Sequence, residues 1–419
     1  MSFSSLGLSP ALVRACVELG LVEPTPVQAE VIPVVLRGAD LLGLAQTGSG
    51  KTAAFVLPVL QRLLAQPAQA RRHVRALVLV PTRELAAQVG EVFRSLGRHA
   101  QGSFKVAVLS GGVSVNPQMM GLRGGADVVV ATTGRLLDLL DRNALRLSHV
   151  QVLVLDEADR LLDLGFSEEL TRVLALLPAQ RQNLFFSATF PPAVEALSGP
   201  LLHDPVRVEM QGTDVPLPAI LQRVILVDPG QRTELLRRLF KEGAWKRALV
   251  FVATRYAAEH VAWKLYKAGL YATPFHGEMS QGKRTEVLEQ FKSGGFDIVV
   301  TTDLAARGID IEALEVVVNY DLPRSAVQYV HRIGRTGRAG QRGEAISFVS
   351  ATTQAHFELI EKRQGLVLPR EVVAGFEPQQ SAAPPPVDAA ASGTGGIKGR
   401  RPSKKDKLRA AAANAPKMP

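Results

Sequence analysis

AQTGSGKT, residues 45–52, is the stretch that decides the fold. An apolar run containing Leu41, Leu42 and Leu44 precedes it, and AAFVLPVLQRLL follows with helical character. Strand, glycine turn and helix N-terminus, in that order, aim backbone N–H groups at an anion. Gly48 and Gly50 turn the chain with no Cβ in the way, and Thr47 and Ser49 complete a candidate cradle. Lys51 is placed to reach the β- and γ-phosphates of a nucleotide, and Thr52 to set a hydroxyl on Mg²⁺. The strict pattern begins with glycine, whereas this chain has Ala45, so in isolation the stretch also reads as an ordinary glycine-bearing turn.

Working outward, a chain of 419 residues exceeds one hydrophobic core, and two domains plus an extra segment are expected. The formal net charge of +10 attracts polyanions without saying which. Cys16 is the only cysteine, which rules out a disulfide framework and fits a reducing compartment. No apolar run approaches the ~18 residues of a membrane span, and no basic residue precedes Arg14 as a secretion signal requires. A soluble cytoplasmic protein is expected.

Residues 9–20 carry helix signposts: Ser9 as cap, Pro10 at the first position, Gly20 after the end. Thr25 and Pro26 repeat the device and fix Gln28 near a helix start. Its amide has the donor and acceptor that an adenine edge needs, although a solvated helix glutamine has the same amide. Short apolar strands are expected at 76–80, 105–109, 128–131, 150–155 and 184–186, with helices between them. That pattern is a parallel sheet covered on both faces, with ligands at the carboxyl ends of the strands. A second series begins with LQRVILV and continues through ALVFVAT, FDIVVTT, EVVVNY and EAISFVS. The expected organisation is α/β: a first domain at 1–210, a linker at 211–219, a second domain at 220–375 and a disordered basic tail at 376–419. The tail carries eight Lys or Arg against three Asp or Glu, half of the chain's net charge, and reads as an electrostatic arm or a solubilising end.

Asp156, Glu157, Ala158 and Asp159 follow the VQVLVL strand. A carboxylate there is the usual second anchor for Mg²⁺, partly through water, and suits Asp156. Glu157 could orient or deprotonate an attacking water. The same acids would also complement a helix dipole.

With AQTGSGKT, the tetrad DEAD at 156–159, PTREL at 81–85, SAT at 187–189, TDLAARGID at 302–310, HRIGRTGR at 331–338 and PTPVQ at 24–28, the chain resembles the DEAD-box RNA helicases over residues 3–365. The opening MSFSSLGLSP and the basic tail further resemble the bacterial RhlE-like subgroup. The resemblance implies two tandem RecA-like domains and an ATP-dependent RNA helicase that pries short duplexes apart locally, whatever their sequence. Gln28 would read adenine, Lys51, Thr52, Asp156 and Glu157 would act on phosphates, Mg²⁺ and water, and Asp310 would lie near the ribose. Arg335 and Arg338 would be arginine fingers, while Ser187, Thr189, Arg307 and His331 would couple hydrolysis to strand separation. Without the resemblance, three arginines in HRIGRTGR read as a solvated basic face. For RNA, the matching positions are Arg83, Gly111, Gly112, Thr132, Gly134 and Arg135, then Gln281, Arg284, Thr302 and Gly308. Few aromatics accompany them, so base stacking is not expected.

Two positions depart from the family. Leu21 stands where an aromatic stacks on the base, so weaker ATP affinity is expected. Thr133 replaces proline in Thr-Pro-Gly-Arg, freeing an N–H and loosening φ. An ATP-gated RNA clamp with negligible turnover and a DNA translocase are the alternatives, and intact Glu157, Arg335 and Arg338 favour turnover over the clamp. The basic tail offers further RNA or protein contacts.

Overall fold

Seven short apolar runs of the first half form one wholly parallel sheet. In the computed structural model, which describes residues 2–45, 48–66, 71–99, 104–163, 165–209, 220–243, 245–306, 314–337 and 343–379, these are β1 (Leu41–Leu44), β2 (Ala76–Leu79), β3 (Val106–Leu109), β4 (Val128–Ala131), β5 (Val152–Leu155), β6 (Gln182–Ser187) and β7 (Val206–Glu209). Their order across the sheet is β3-β4-β2-β5-β6-β1-β7. Side chains alternate between the faces. Val78, Val130, Val154 and Phe186 enter one buried cluster, and Leu77, Val129, Leu153 and Phe185 enter the other. A sheet buried on both faces explains why its strands show no polar alternation in sequence.

The second half repeats the plan. It contains β8 (Ile220–Leu226), β9 (Ala248–Val252), β10 (Ala272–Phe275), β11 (Ile298–Thr302), β12 (Val316–Asn319), β13 (Gly343–Val349) and β14 (Arg370–Glu371). The order is β10-β11-β9-β12-β13-β8-β14, the first sheet's permutation with every strand moved on by seven places. Two lobes of the same doubly wound architecture therefore stand in tandem, as expected. Both belong to one unit, Met1–Gln380.

Details differ from expectation for local reasons. Helix Pro10–Glu18 has proline at its start, but the Ser9 side chain makes no capping hydrogen bond. β5 begins at Val152 because the Val150 N–H closes a turn on the Leu147 carbonyl. The tail does not begin at 376. Phe376 is buried in the second lobe's core, beneath the Arg238 guanidinium at 5.9 Å. The Gln379 N–H then donates to Asp228 at 2.8 Å. One apolar ring thus keeps the chain on the lobe past the compositional change. The expected linker at 211–219 and residues 380–419 lie outside the described residues.

Candidate active site and nucleic-acid interface

The phosphate loop leaves β1 at the carboxyl edge of the first sheet, where the Ala45 N–H donates to the Ser187 carbonyl at 3.1 Å. Gly48 and Gly50 sit at φ +84° and +92°. A Cβ on Gly50 would lie 2.6 Å from Gln28 Nε2, so glycine is required there for space as well as for φ. Gln28 is buried in helix Pro26–Leu36. Its Oε1 accepts the Thr25 N–H at 3.0 Å and its Nε2 donates to the Gly50 carbonyl at 3.2 Å. One donor and one acceptor of the amide are thus spent on holding the loop, and one of each remains. Lys51, the first residue of helix Lys51–Leu64, is buried and donates to the Ala45 carbonyl at 2.5 Å. Burial lowers its pKa, while Asp156, Glu157 and Asp159 pull in the opposite direction. Ser49 Oγ is buried without a hydrogen-bond partner in the protein. An anion cradled by the loop would satisfy it.

Beyond β5 the acidic tetrad divides its labour. Burial is the main cause that pushes the Asp156 carboxyl up to about 6, against the pull of Lys51. Its Oδ1 accepts the Glu157 N–H at 2.9 Å. Glu157 has φ +52°, a left-handed conformation unusual away from glycine, and is ion-paired to buried Arg160 at 2.6 Å. Asp159 reaches back to the SAT segment: its Oδ2 accepts from Thr189 Oγ1 at 2.8 Å and from the Thr189 N–H at 3.1 Å. Fully buried Ser187 donates to the Thr189 carbonyl at 2.6 Å. The expected coupling pair is therefore wired directly to the tetrad.

The second lobe closes over this edge. His331, on helix Ala326–Ile333, lies close enough to Arg160, Asp159 and Glu157 to feel their charges. Burial first, then Arg160, pushes its pKa down to about 4. Arg160 and Arg335 line one small cavity with His331, Gln328 and Asp303. Arg332, between the two, is a structural arginine. It clamps Asp303 at 2.6 and 2.7 Å and stacks over Phe251 at 4.8 Å. Buried Arg335 lines the same small cavity as Arg160 of the first lobe. Thr47, Arg307, Gly308, Asp310 and Arg338 lie outside the described residues.

Of the expected RNA positions, Arg83, Gly112, Gln281 and Arg284 meet where the lobes touch. A Cβ on Gly112 would overlap Arg83 Nη1, at 1.6 Å, so the end of the guanidinium packs against that glycine. Arg135 Nη2 donates to the Val113 carbonyl at 2.8 Å. Gly111 and Gly134 face open space. From the second lobe, Gln281 Oε1 accepts from Arg83 at 3.4 Å, and Arg284 forms an ion pair with Glu84 at 2.9 Å. Arg135 Nη1 and Arg284 Nε are buried without partners in the protein. Thr132 immediately precedes helix Thr133–Asp141 without a side-chain capping hydrogen bond, and Thr302 ends β11.

Sequence reasoning assigned no role to Glu84 or Arg160, and to Asp159 only the helix-dipole alternative. Glu84 sits in the first turn of helix Arg83–Leu96, and only lobe closure shows that it meets Arg284.

Comparisons agree with this geometry. Residues 25–197 match the DEAD/DEAH box helicase profile, and residues 231–340 match the helicase conserved C-terminal domain. The chain is 43% identical over 351 residues to the ATP-dependent rRNA helicase RRP3 of Gibberella zeae, covering 83% of this chain and 71% of that protein. It is 38% identical over 361 residues to the DEAD-box ATP-dependent RNA helicase CshA of Bacillus cereus, covering 86% and 67%. The structure of S. cerevisiae Dbp5 bound to RNA and ADP BeF3 superposes with a TM-score of 0.79 at 30% identity, over 88% of this chain and 95% of that one.

Proposed function

Because the chain belongs to the DEAD/DEAH box helicase family, we infer that it is an ATP-dependent RNA helicase whose hydrolysis is stimulated by RNA and coupled to local, sequence-independent unwinding. The observation that carries this reading is the meeting of Glu157 and Arg160 from one lobe with His331 and Arg335 from the other.

ATP would lie in the Gly48–Thr52 loop, its adenine against the free face of the Gln28 amide and its phosphates satisfying Ser49 Oγ and Lys51. Among the described residues no group of three or more His, Cys, Asp or Glu side chains converges on a point. That suits Mg²⁺ held by Thr52 and Asp156 through water and phosphate oxygens rather than by a protein cage. When bound, Mg²⁺ neutralises developing phosphate charge and keeps Asp156 ionised. Glu157, held by Arg160, orients the attacking water as base. Arg335, with Arg338, stabilises charge on the transferred group, a contribution of about 10³–10⁵ in rate for arginine fingers. Asp310 would contact the ribose.

RNA would run across Arg83, Gly111, Gly112, Thr132, Gly134 and Arg135, then Gln281, Arg284, Thr302 and Gly308. The orphaned Arg135 Nη1 and Arg284 Nε suit phosphate oxygens, and the open glycines admit the backbone closely. A strand bridging both lobes favours closure, and closure completes the ATP site. Ser187, Thr189 and His331, with Arg307, would couple the two. The opening MSFSSLGLSP and the basic tail favour an RhlE-like subgroup. We place the protein in the cytoplasm, where ATP and RNA meet and where the buried, unpaired Cys16 stays reduced.

ATP hydrolysis and duplex separation measured with RNA, with DNA and with neither test the reading. RNA should stimulate both activities. Equal stimulation by DNA would favour a translocase, and RNA binding without turnover would favour the clamp.

A further inference from the structure

We propose that the outer face of helix Arg255–Lys267 is a stacking platform for single-stranded RNA, continuing the track that begins at Gln281 and Arg284. The inference rests on the RNA reading of the cleft and extends it to a surface that no residue in the family pattern touches.

The chain has 16 Phe, 5 Tyr and 2 Trp. Among the described residues every exposed aromatic, namely Tyr256, Trp263, Tyr266 and Tyr271, lies on this one helix or in the turn after it. The helix buries Ala258, Val261, Ala262 and Leu265 against the second sheet. At 100° per residue, Tyr256, His260, Trp263 and Lys267 form the ridge diametrically opposite. Along it, the Tyr256 and His260 rings are stacked at 5.7 Å with 9° between planes, and Lys267 Nζ lies 5.9 Å from the Trp263 ring centre. The ridge spans roughly 16 Å, room for two or three nucleotides of a single strand.

Its position continues the proposed cleft. The helix starts at the carboxyl edge of β9. Arg255 is ion-paired to Glu278, and Glu259 lies 3.1 Å from His276 Nε2. Both partners belong to the segment that leads into helix Gln281–Ser293, which carries Gln281 and Arg284. These contacts also turn Glu259, the helix's only acid, away from the ridge, leaving Lys264 and Lys267 for phosphates. The chemistry favours a nucleic acid over a docking protein helix. The ridge sets three flat rings beside the Lys267 cation and holds no Leu, Ile, Val or Met, the side chains that fill interhelical holes. Near-parallel exposed rings are the kind of surface on which a further base stacks irrespective of sequence.

The test compares the full-length protein with Tyr256→Ala/Trp263→Ala and with Tyr256→Phe/Trp263→Phe. Binding is measured by anisotropy, in ADP and beryllium fluoride, with uridine RNAs of about six and about fifteen nucleotides. Both ridge residues are exposed, so neither change disturbs the core. The alanine pair should leave the short RNA's affinity unchanged and weaken the long RNA by roughly tenfold or more, with the phenylalanine pair restoring it. In the parent protein, long RNA should quench tryptophan emission, while short RNA and inorganic polyphosphate should not. Equal long-RNA affinity in the alanine pair, or equal weakening of both lengths, would overturn the platform. Failure of the parent protein to bind either RNA would instead refute the RNA reading of the cleft.

Discussion

The ion pair between Glu84 and Arg284 ties the lobes together, and removing it should make the enzyme more dependent on RNA. Both side chains are under one-tenth exposed and 2.9 Å apart. At an effective dielectric of about 20 their attraction is about 6 kcal/mol, much of it offset by desolvation. Stripping one partner from a buried pair costs about 3–5 kcal/mol, because the other charge is left uncompensated. In Glu84→Ala that cost falls only on the closed state, since an opened cleft returns Arg284 to water. Taking about 3 kcal/mol, RNA-free closure drops on the order of a hundredfold, and basal ATP hydrolysis drops with it. An RNA phosphate beside Arg284 replaces the missing carboxylate, so the RNA-saturated rate should fall less than about tenfold. The ratio of stimulated to basal rate should therefore rise. Arg284→Ala leaves Glu84 buried and repelling phosphate, so RNA should not rescue it. Steady-state ATPase assays with and without saturating RNA decide the matter. An unchanged basal rate in Glu84→Ala, or a lower stimulation ratio, would refute the reasoning.

Three other changes test separate parts of the molecule. Thr133 occupies the first position of its helix, where a proline loses no intrahelical bond, and its buried hydroxyl has no partner. Thr133→Pro should stabilise the first lobe by about 1–3 kcal/mol, read as a higher urea midpoint; an equal or lower midpoint counts against it. His331 is held neutral in the closed state, with its pKa near 4 against 6.5. Closure then binds fewer protons than opening, so it is fully favoured above about pH 6.5 and weakens as pH falls, about tenfold by pH 5.5. RNA-stimulated hydrolysis should show that loss, and His331→Asn should remove it. Deleting residues 380–419 should flatten the salt dependence of RNA binding, each lost phosphate contact being worth about 0.7 in slope, whereas a cut at 376 should also lower stability by removing buried Phe376. An identical slope would make the tail a solubilising end.

The central strands were legible because burial on both faces leaves uninterrupted apolar runs. The strands that escaped notice, β7, β10 and β14, include three of the four sheet edges, and edges carry charge, proline or only two residues. Loop positions were readable where the backbone needs a particular residue, as at Gly50. Roles that arise only when distant segments meet were not. Glu84 finds Arg284, and Asp159 finds Thr189, through tertiary contact with no local trace. The exposed rings on Arg255–Lys267 escaped for the opposite reason. In sequence they are an ordinary amphipathic helix, and only burial shows that the aromatic side is the outer one.

Arg335 tests most directly whether one ATP site is built from two lobes. In Arg335→Ala, RNA-stimulated turnover should fall by about 10³-fold or more, while a fluorescent ADP analogue, held by the first lobe, binds with nearly unchanged affinity. If turnover instead stays within a few-fold of the parent protein, the second lobe supplies no catalytic group and the shared site is contradicted.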